Sequence, residues 1–171
     1  YVPTRKGKTM ADQIALHVLQ HQSPDFKRYT FLDRGSDERQ YCAPGIDLPV
    51  VTMCRSKYHC YPEYHTSFDN LDIVSESGLQ GSLLAHQRAI DCLEANHRYR
   101  TTVLGEPQLG KRGLYPQTGI RNAAHESDYI MNLLAYSDGN TSLLEIAEML
   151  NVPMWELLPI VKRLHEHHLL E

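Results

Sequence analysis

Apolar residues between Thr9 and about Gln22 fall at Met10, Ile14, Ala15, Val18 and Leu19. These spacings of three and four predict a helix with one buried face and Thr9 as its N-cap. Ser23-Pro24-Asp25 ends it, and the alternation in Phe26-Lys-Arg-Tyr-Thr-Phe31 predicts a strand. A loop is expected from Gly35 to Gly45, and the apolar run Leu48 to Met53 has the character of a buried strand. A helix followed by a strand is the crossover unit of a layered α/β sheet. The loops after both predicted strands are therefore expected at the carboxyl edge, where such sheets form ligand crevices. Further on, Ser75 or Ser77 is placed to cap a helix running to about Asn96, with Leu79, Leu83, Leu84, Ile90 and Leu93 as its buried side.

The pattern then breaks. Arg98 to Gly119 holds Gly105, Pro107, Gly110, Gly113, Pro116 and Gly119 with no sustained period, so an irregular connector is expected. No Gly-Lys-Ser/Thr ending follows a strand there, which excludes a phosphate loop. From Ala123 helical patterning returns. A helix is expected over His125–Tyr136, stopped by Ser137-Asp138-Gly139, and a second over Leu143–Leu150, capped by Thr141 or Ser142 with Glu145 as its capping-box partner. Pro153 suits the first position of a third helix reaching about His168. Two short helices across a tight turn resemble a helix-turn-helix. The partition is thus 1–97, a connector at 98–122, and a small all-α unit at 123–171.

Charge changes what that last unit is expected to do. From Ala123 onward Lys162 and Arg163 face eight carboxylates, a net charge of -6, whereas a groove-binding helix needs basic residues to meet phosphates. Packing or oligomerisation is expected there rather than nucleic-acid binding. The whole chain, 171 residues with 42% hydrophobic content and a formal charge of -4, is expected to bury a core and to lack general affinity for polyanions. It has no apolar run near the roughly 20 residues that cross a bilayer and no signal-peptide apolar region at its start, so no membrane partner and a cytoplasmic location are expected. Tyr1 is not an initiator methionine, and the chain reads as a fragment, a processed piece or one part of a larger polypeptide. Cys42, Cys54, Cys60 and Cys92 form no Cys-x-x-Cys pair and are expected as reduced, mostly buried thiols. His17 and His21, four apart with no Glu base between them, are expected on one solvated helix face, and His165, His167 and His168 at a helix end that favours partial positive charge.

Two segments carry the candidate chemistry: Ser36-Asp-Glu-Arg-Gln-Tyr-Cys-Ala-Pro-Gly45 and Tyr61-Pro-Glu-Tyr-His-Thr-Ser-Phe-Asp-Asn-Leu-Asp72. The second sets one histidine between a proline-marked loop and an Asx-rich approach to a helix, a frequent way of presenting a metal ligand. With the apolar run between them, these segments resemble the C-terminal half of a co-catalytic zinc aminopeptidase domain, as in zinc aminopeptidases and glutaminyl cyclases. The chain is more closely similar to bacterial aminopeptidase-like proteins with Asp-Glu-Arg-Gln-Tyr-Cys-x-Pro-Gly, then Tyr-Pro-Glu-Tyr-His-Thr-Ser, then a winged-helix-like tail. Gly105-Glu-Pro-Gln-Leu-Gly-Lys-Arg-Gly-Leu-Tyr115 also resembles that family.

The resemblance implies an α/β fold: a partial zinc-aminopeptidase-like layered sheet with helices over 1–97, followed by the winged-helix-like unit. It implies hydrolysis of the N-terminal amide of a small peptide or aminoacyl compound, with Zn2+, two per complete domain. Part of the site, including a glutamate base, would lie upstream, so this portion alone is expected to be inactive. His65 would be a terminal zinc ligand, a neutral imidazole whose other ring nitrogen is held by a carboxylate or carbonyl. Asp69 and Asp72 could provide that orientation, although helix capping suits either as well. Tyr64 would hydrogen-bond the oxyanion of the tetrahedral intermediate, or else pack beneath the loop. Asp37 matches an aspartate lining the site. Glu38 stands where relatives have histidine, a departure that fits a different substrate preference. Arg39 would neutralise these carboxylates, meet a substrate carboxylate or form a structural ion pair. The implied partners are the substrate, the missing N-terminal part of the domain and a second copy of the chain. A reading of another class is a catalytically silent aminopeptidase-like scaffold that recruits partners through the acidic helical unit.

Overall fold

The first helix is organised by one buried carboxylate. Asp12 accepts hydrogen bonds from Tyr1 Oη (2.7 Å), Thr4 N (2.8 Å), Thr4 Oγ1 (2.5 Å), Thr9 N (2.9 Å) and Thr9 Oγ1 (2.7 Å). Thr9 returns its hydroxyl oxygen to the Asp12 amide, closing a capping box on α1 (Met10–Gln22). The computed structural model describes residues 1–114 and 123–171, and in it the chain forms two units, Tyr1–Ile90 and Asp91–Glu171. Residues 115–122 of the expected connector, Pro116 and Gly119 among them, lie outside the described residues.

The first unit corrects the expected α/β class. Among the described residues there is no sheet, and Val2 meets Thr52 in a single antiparallel bridge. Three extended segments touch at one rung: Val2 and Thr52 exchange N–H···O bonds of 3.0 Å, and Tyr29 N donates to Tyr1 O at 2.9 Å. The ladder stops because the amides of the next rung are taken elsewhere, Thr4 N by Asp12 Oδ1 (2.8 Å) and Val50 N by Leu48 O (2.9 Å). In addition, the Arg34 guanidinium occupies the carbonyls of Val2 (2.9 Å) and Pro3 (2.8 Å). The predicted strand Phe26–Phe31 runs instead into a 3₁₀ turn, Phe31–Asp33, whose Asp33 carboxylate accepts the Thr30 amide and hydroxyl. The Leu48–Met53 run is bent where Val50 N bonds Leu48 O (2.9 Å). The expected loop from Gly35 to Gly45 contains a helix, α2 (Ser36–Tyr41).

Helix α3 (Glu76–Ala95) has close to the expected span, and Ser75 Oγ accepts the Gly78 amide (3.1 Å). Its orientation is the reverse of that expected. Leu79, Leu83, Leu84, Ile90 and Leu93 are exposed, while Ala85 and Cys92 are buried. Small residues let neighbours come close: Gln22 Nε2 donates to Gly81 O (3.0 Å), and a methyl group at Gly81 would stand 2.9 Å from Arg55 Nη1. Apolar periodicity marks a stripe but not which side other polypeptide covers. On α1, His17 is buried with its ring 4.7 Å from that of His21, so the expected solvated histidine face is also corrected. The thiols divide evenly, Cys42 and Cys92 buried, Cys54 and Cys60 exposed.

In the second unit α4 (Ala123–Tyr136) packs on α5 (Leu143–Leu150), and α5 on α6 (Met154–Glu166). Ser142 and Glu145 form the capping box of α5, and the helix ends at Asn151 in the left-handed region (φ 53°), which asparagine tolerates better than most residues. Pro153 caps α6 rather than opening it. Leu133, Leu143, Ile146, Leu157 and Leu164 are fully buried, each contributing about 1.5–3 kcal/mol. The segment Tyr99–Thr102 lies between two others. Thr101 N donates to Ser137 O (2.8 Å) and Gly139 N to Tyr99 O (2.9 Å), while Arg100 and Glu171 exchange bonds of 2.9 Å. No helix among the described residues is long and apolar enough to cross a membrane.

Candidate functional site

Local backbone geometry builds an aromatic cluster from residues 57–65. Cys60 N bonds Lys57 O (3.0 Å), Tyr64 N bonds Tyr61 O (3.4 Å), and Thr66 N and Oγ1 both donate to Glu63 O (3.0 and 2.7 Å). These tight turns require His59 (φ 62°) and His65 (φ 60°) in the left-handed region, which non-glycine residues seldom adopt. The turn at His65 folds its ring onto that of its neighbour Tyr64, stacked with centroids 4.0 Å apart. His59 meets the Tyr64 ring edge-on at 4.9 Å, Tyr61 at 5.7 Å, and Tyr58 lies 6.3 Å away. Tyr64 is half-buried and His65 exposed.

Tyr58 joins this cluster to the other motif. Its hydroxyl accepts the Gly35 amide at 2.7 Å, immediately before α2. Helix α2 carries Asp37, Glu38 and Arg39; Glu38 accepts the Thr52 hydroxyl at 3.2 Å and is half-buried, whereas Asp37 and Arg39 are exposed. The two motifs distant in sequence are thereby linked through Gly35, Tyr58 and Tyr64. Asp69 and Asp72 do not cap α3, since Ser75 does so; Asp69 lies beside Tyr61, whose phenol is pushed up by burial and then by that carboxylate.

Sequence reasoning passed over Tyr58, His59 and Lys57. The available signal was the density of rings in Tyr58-His-Cys-Tyr61 directly before the recognised motif. Lys57 is buried, donates to Tyr58 O (3.2 Å), and sets its ammonium 4.2 Å from the Tyr58 ring centre and 5.4 Å from that of Tyr29. A cleft of about 620 Å³ opens nearby, bordered by Tyr29, Cys54, Lys57, Cys60 and His86. A hydrogen bond with Cys60 pushes the Tyr29 phenol up, and burial does the same to the Cys54 thiol. Tyr64, His65 and Asp37 are not among the residues lining that cleft.

Zinc sites draw three or four ligands from His, Cys, Asp and Glu. Among the described residues no three such side chains converge as a metal would require. The donors among the described residues therefore do not by themselves fit a zinc shell around His65.

Residues 1–96 match the family described as a domain of unknown function (DUF4910), and residues 97–171 match the family described as winged helix-turn-helix. A Clostridium acetobutylicum protein, provisionally named a polysaccharide biosynthesis protein with an aminopeptidase-like domain, is 39% identical over 149 residues. The match covers 86% of this chain and 34% of that protein. The crystal structure of a Clostridium acetobutylicum protein provisionally named a peptidase is similar with a TM-score of 0.81 and 31% identity, over 99% of this chain and 37% of that one. The chain thus spans about a third of the length of these relatives.

Proposed function

This chain belongs to the DUF4910 family through residues 1–96, and from that premise we propose that it is part of a zinc-dependent aminopeptidase-like hydrolase cleaving the N-terminal amide of a small peptide or aminoacyl compound. The observation that supports this reading most is the Tyr64–His65 pair, stacked at 4.0 Å in this chain, whose relatives are named aminopeptidase-like and peptidase. Tyr64 donates its hydroxyl proton to the oxyanion that develops when the amide carbonyl is attacked, a hydrogen bond that strengthens as charge accumulates. The stack on His65 and the edges of His59 and Tyr61 fix the direction of that phenol. Asp37 orients groups at the site, and Glu38 and Arg39 meet the substrate. His65 enters as one zinc ligand whose companions lie outside this chain.

The acidic stretch from Ala123 onward, of charge -6, suits a second reading: a catalytically silent aminopeptidase-like scaffold that recruits partners through it. The two readings separate on the complete polypeptide, assayed for bound zinc and for release of amino acids from a panel of aminoacyl amides. Zinc lost in His65→Ala together with activity supports the hydrolase; a polypeptide binding no zinc and cleaving no member of the panel supports the scaffold.

A further inference from the structure

The apolar side chains of the first unit are distributed in an unusual way. Leu79, Leu83 and Ile90 on α3 are 62%, 69% and 60% exposed, and just before the helix Phe68 and Leu71 are 71% and 86% exposed. Scattered apolar surface residues are ordinary, but a contiguous run of them marks an interaction surface. Helix α3 is held to its own unit at Gly81: Gln22 Nε2 donates to the Gly81 carbonyl, and Arg55 Nη1 lies 2.9 Å from where a Cβ on Gly81 would stand. Between the leucines the exposed positions are Gln80, His86 and Gln87, a surface without the lysines and arginines that phosphates or anionic lipids require. Among the described residues, most buried apolar side chains belong to Asp91–Glu171, which closes its own core. Most exposed large ones belong to Tyr1–Ile90, which does not.

We propose that the Leu79, Leu83, Leu84 and Ile90 side of α3 is the surface on which the remainder of an aminopeptidase-like polypeptide, the part of the relatives outside the matched third, packs its own apolar residues. The relatives carry that additional chain, since this one covers 34% and 37% of them, and the unit with the unfilled core is the one belonging to the DUF4910 family. The inference shares the relatives with the proposed function but depends neither on zinc nor on catalysis.

Hydroxyl-radical footprinting, read peptide by peptide, tests it. This chain alone is compared with one polypeptide in which the chain replaces the matched third of the Clostridium acetobutylicum relative provisionally named for polysaccharide biosynthesis. Oxidation of the peptide holding Leu79 to Ile90 should fall severalfold on joining, while fully exposed Leu104 stays unchanged. The double substitution Leu83→Glu, Ile90→Glu should leave the unfolding temperature of the chain alone nearly unchanged and lower that of the joined polypeptide. Equal oxidation in both contexts would overturn the proposal. So would a dimer of the chain alone, measured by light scattering and dissolved by Leu83→Glu, because the occupant would then be a second copy. If the joined polypeptide does not fold, the intact relative gives the same reading at its helix aligned with α3: protection supports the proposal, and free-surface oxidation overturns it.

Discussion

The Gly35 amide donates to the hydroxyl of Tyr58 at 2.7 Å, and this bond ties the start of α2 to the aromatic turn holding Tyr64 and His65. Tyr58 thus has two functions, acceptor at its oxygen and packing partner at its ring. The substitutions Tyr58→Phe and Tyr58→Ala separate them. Tyr58→Phe leaves the Gly35 N–H without its acceptor and should destabilise the first unit by about 1–3 kcal/mol. Tyr58→Ala also removes the ring over Lys57 and beside Tyr64, and limited proteolysis of the 59–70 turn should then be faster than in Tyr58→Phe. Equal proteolysis of the two variants would show that the ring has no part in holding the turn.

Tyr64 and His65 share one stack but are expected to differ in the kinetics of the complete polypeptide. Tyr64→Phe keeps the stack and removes the hydroxyl, so kcat should fall by about 10–1,000-fold with little change in KM. His65→Ala should lower zinc content as well as rate, and because His65 is exposed, thermal unfolding should hardly change. Tyr64→Phe with unchanged kcat would return the phenol to a packing role.

Asp12 is the buried contributor to the acid sensitivity of the first unit, which Asp33 and Asp47, also held low by their partners, share. Burial by itself raises this carboxyl, but hydrogen bonds from Thr4, Tyr1 and Thr9 outweigh it and hold the group below its ordinary 3.8. A depressed carboxyl contributes stability that is fully present above its unfolded-state value and is lost as pH falls through the folded-state one. Denaturant midpoints should therefore be level from pH 7 to about 5 and decline below about 4. Asp12→Ala leaves the Tyr1, Thr4 and Thr9 donors unmatched and should cost about 2–4 kcal/mol at pH 7 while flattening the acid limb. An acid limb as steep as that of the unsubstituted chain would assign the sensitivity to other carboxylates.

The local signals of helices were the legible ones. Thr9 with Asp12, Ser142 with Glu145, and the stop at Ser23-Pro24 act within one or two turns of chain, so the residues alone locate the ends of α1 and α5. The strands were not legible, because a strand needs a partner and the amides that would form the next rung after Val2–Thr52, those of Thr4 and Val50, bond Asp12 and Leu48 instead. Nor could periodicity orient α3: its leucines and its small residues form two stripes, and contacts distant in sequence, such as Gln22 Nε2 to Gly81 O, lie on the side of the small ones. At the candidate site, Tyr64 and His65 were visible as a motif. Their stacking depends on a left-handed backbone at His65, which no residue preference at that position announces.

The winged helix-turn-helix family matches residues 97–171, a span of formal charge -2 with seven Lys/Arg against nine Asp/Glu, but its helical part from Ala123 onward carries -6. Helix α6 would be the one to enter a groove. Of its two cations, Arg163 is engaged by Glu126 of α4, and Lys162 shares the helix with Glu156 and Glu166. Pro159 also interrupts the helix, removing an N–H from its middle. Phosphate neutralisation supplies most non-specific affinity for duplex DNA, and one available lysine among carboxylates repels more than it attracts. A mobility-shift assay at low salt, where any electrostatic attraction is strongest, should show no complex with duplex DNA at micromolar protein. Glu156→Lys with Glu166→Lys should add weak, salt-sensitive binding if charge alone prevents it. Tight binding by the unsubstituted chain, lost in Lys162→Ala, would reverse the prediction and give the unit a regulatory role on DNA.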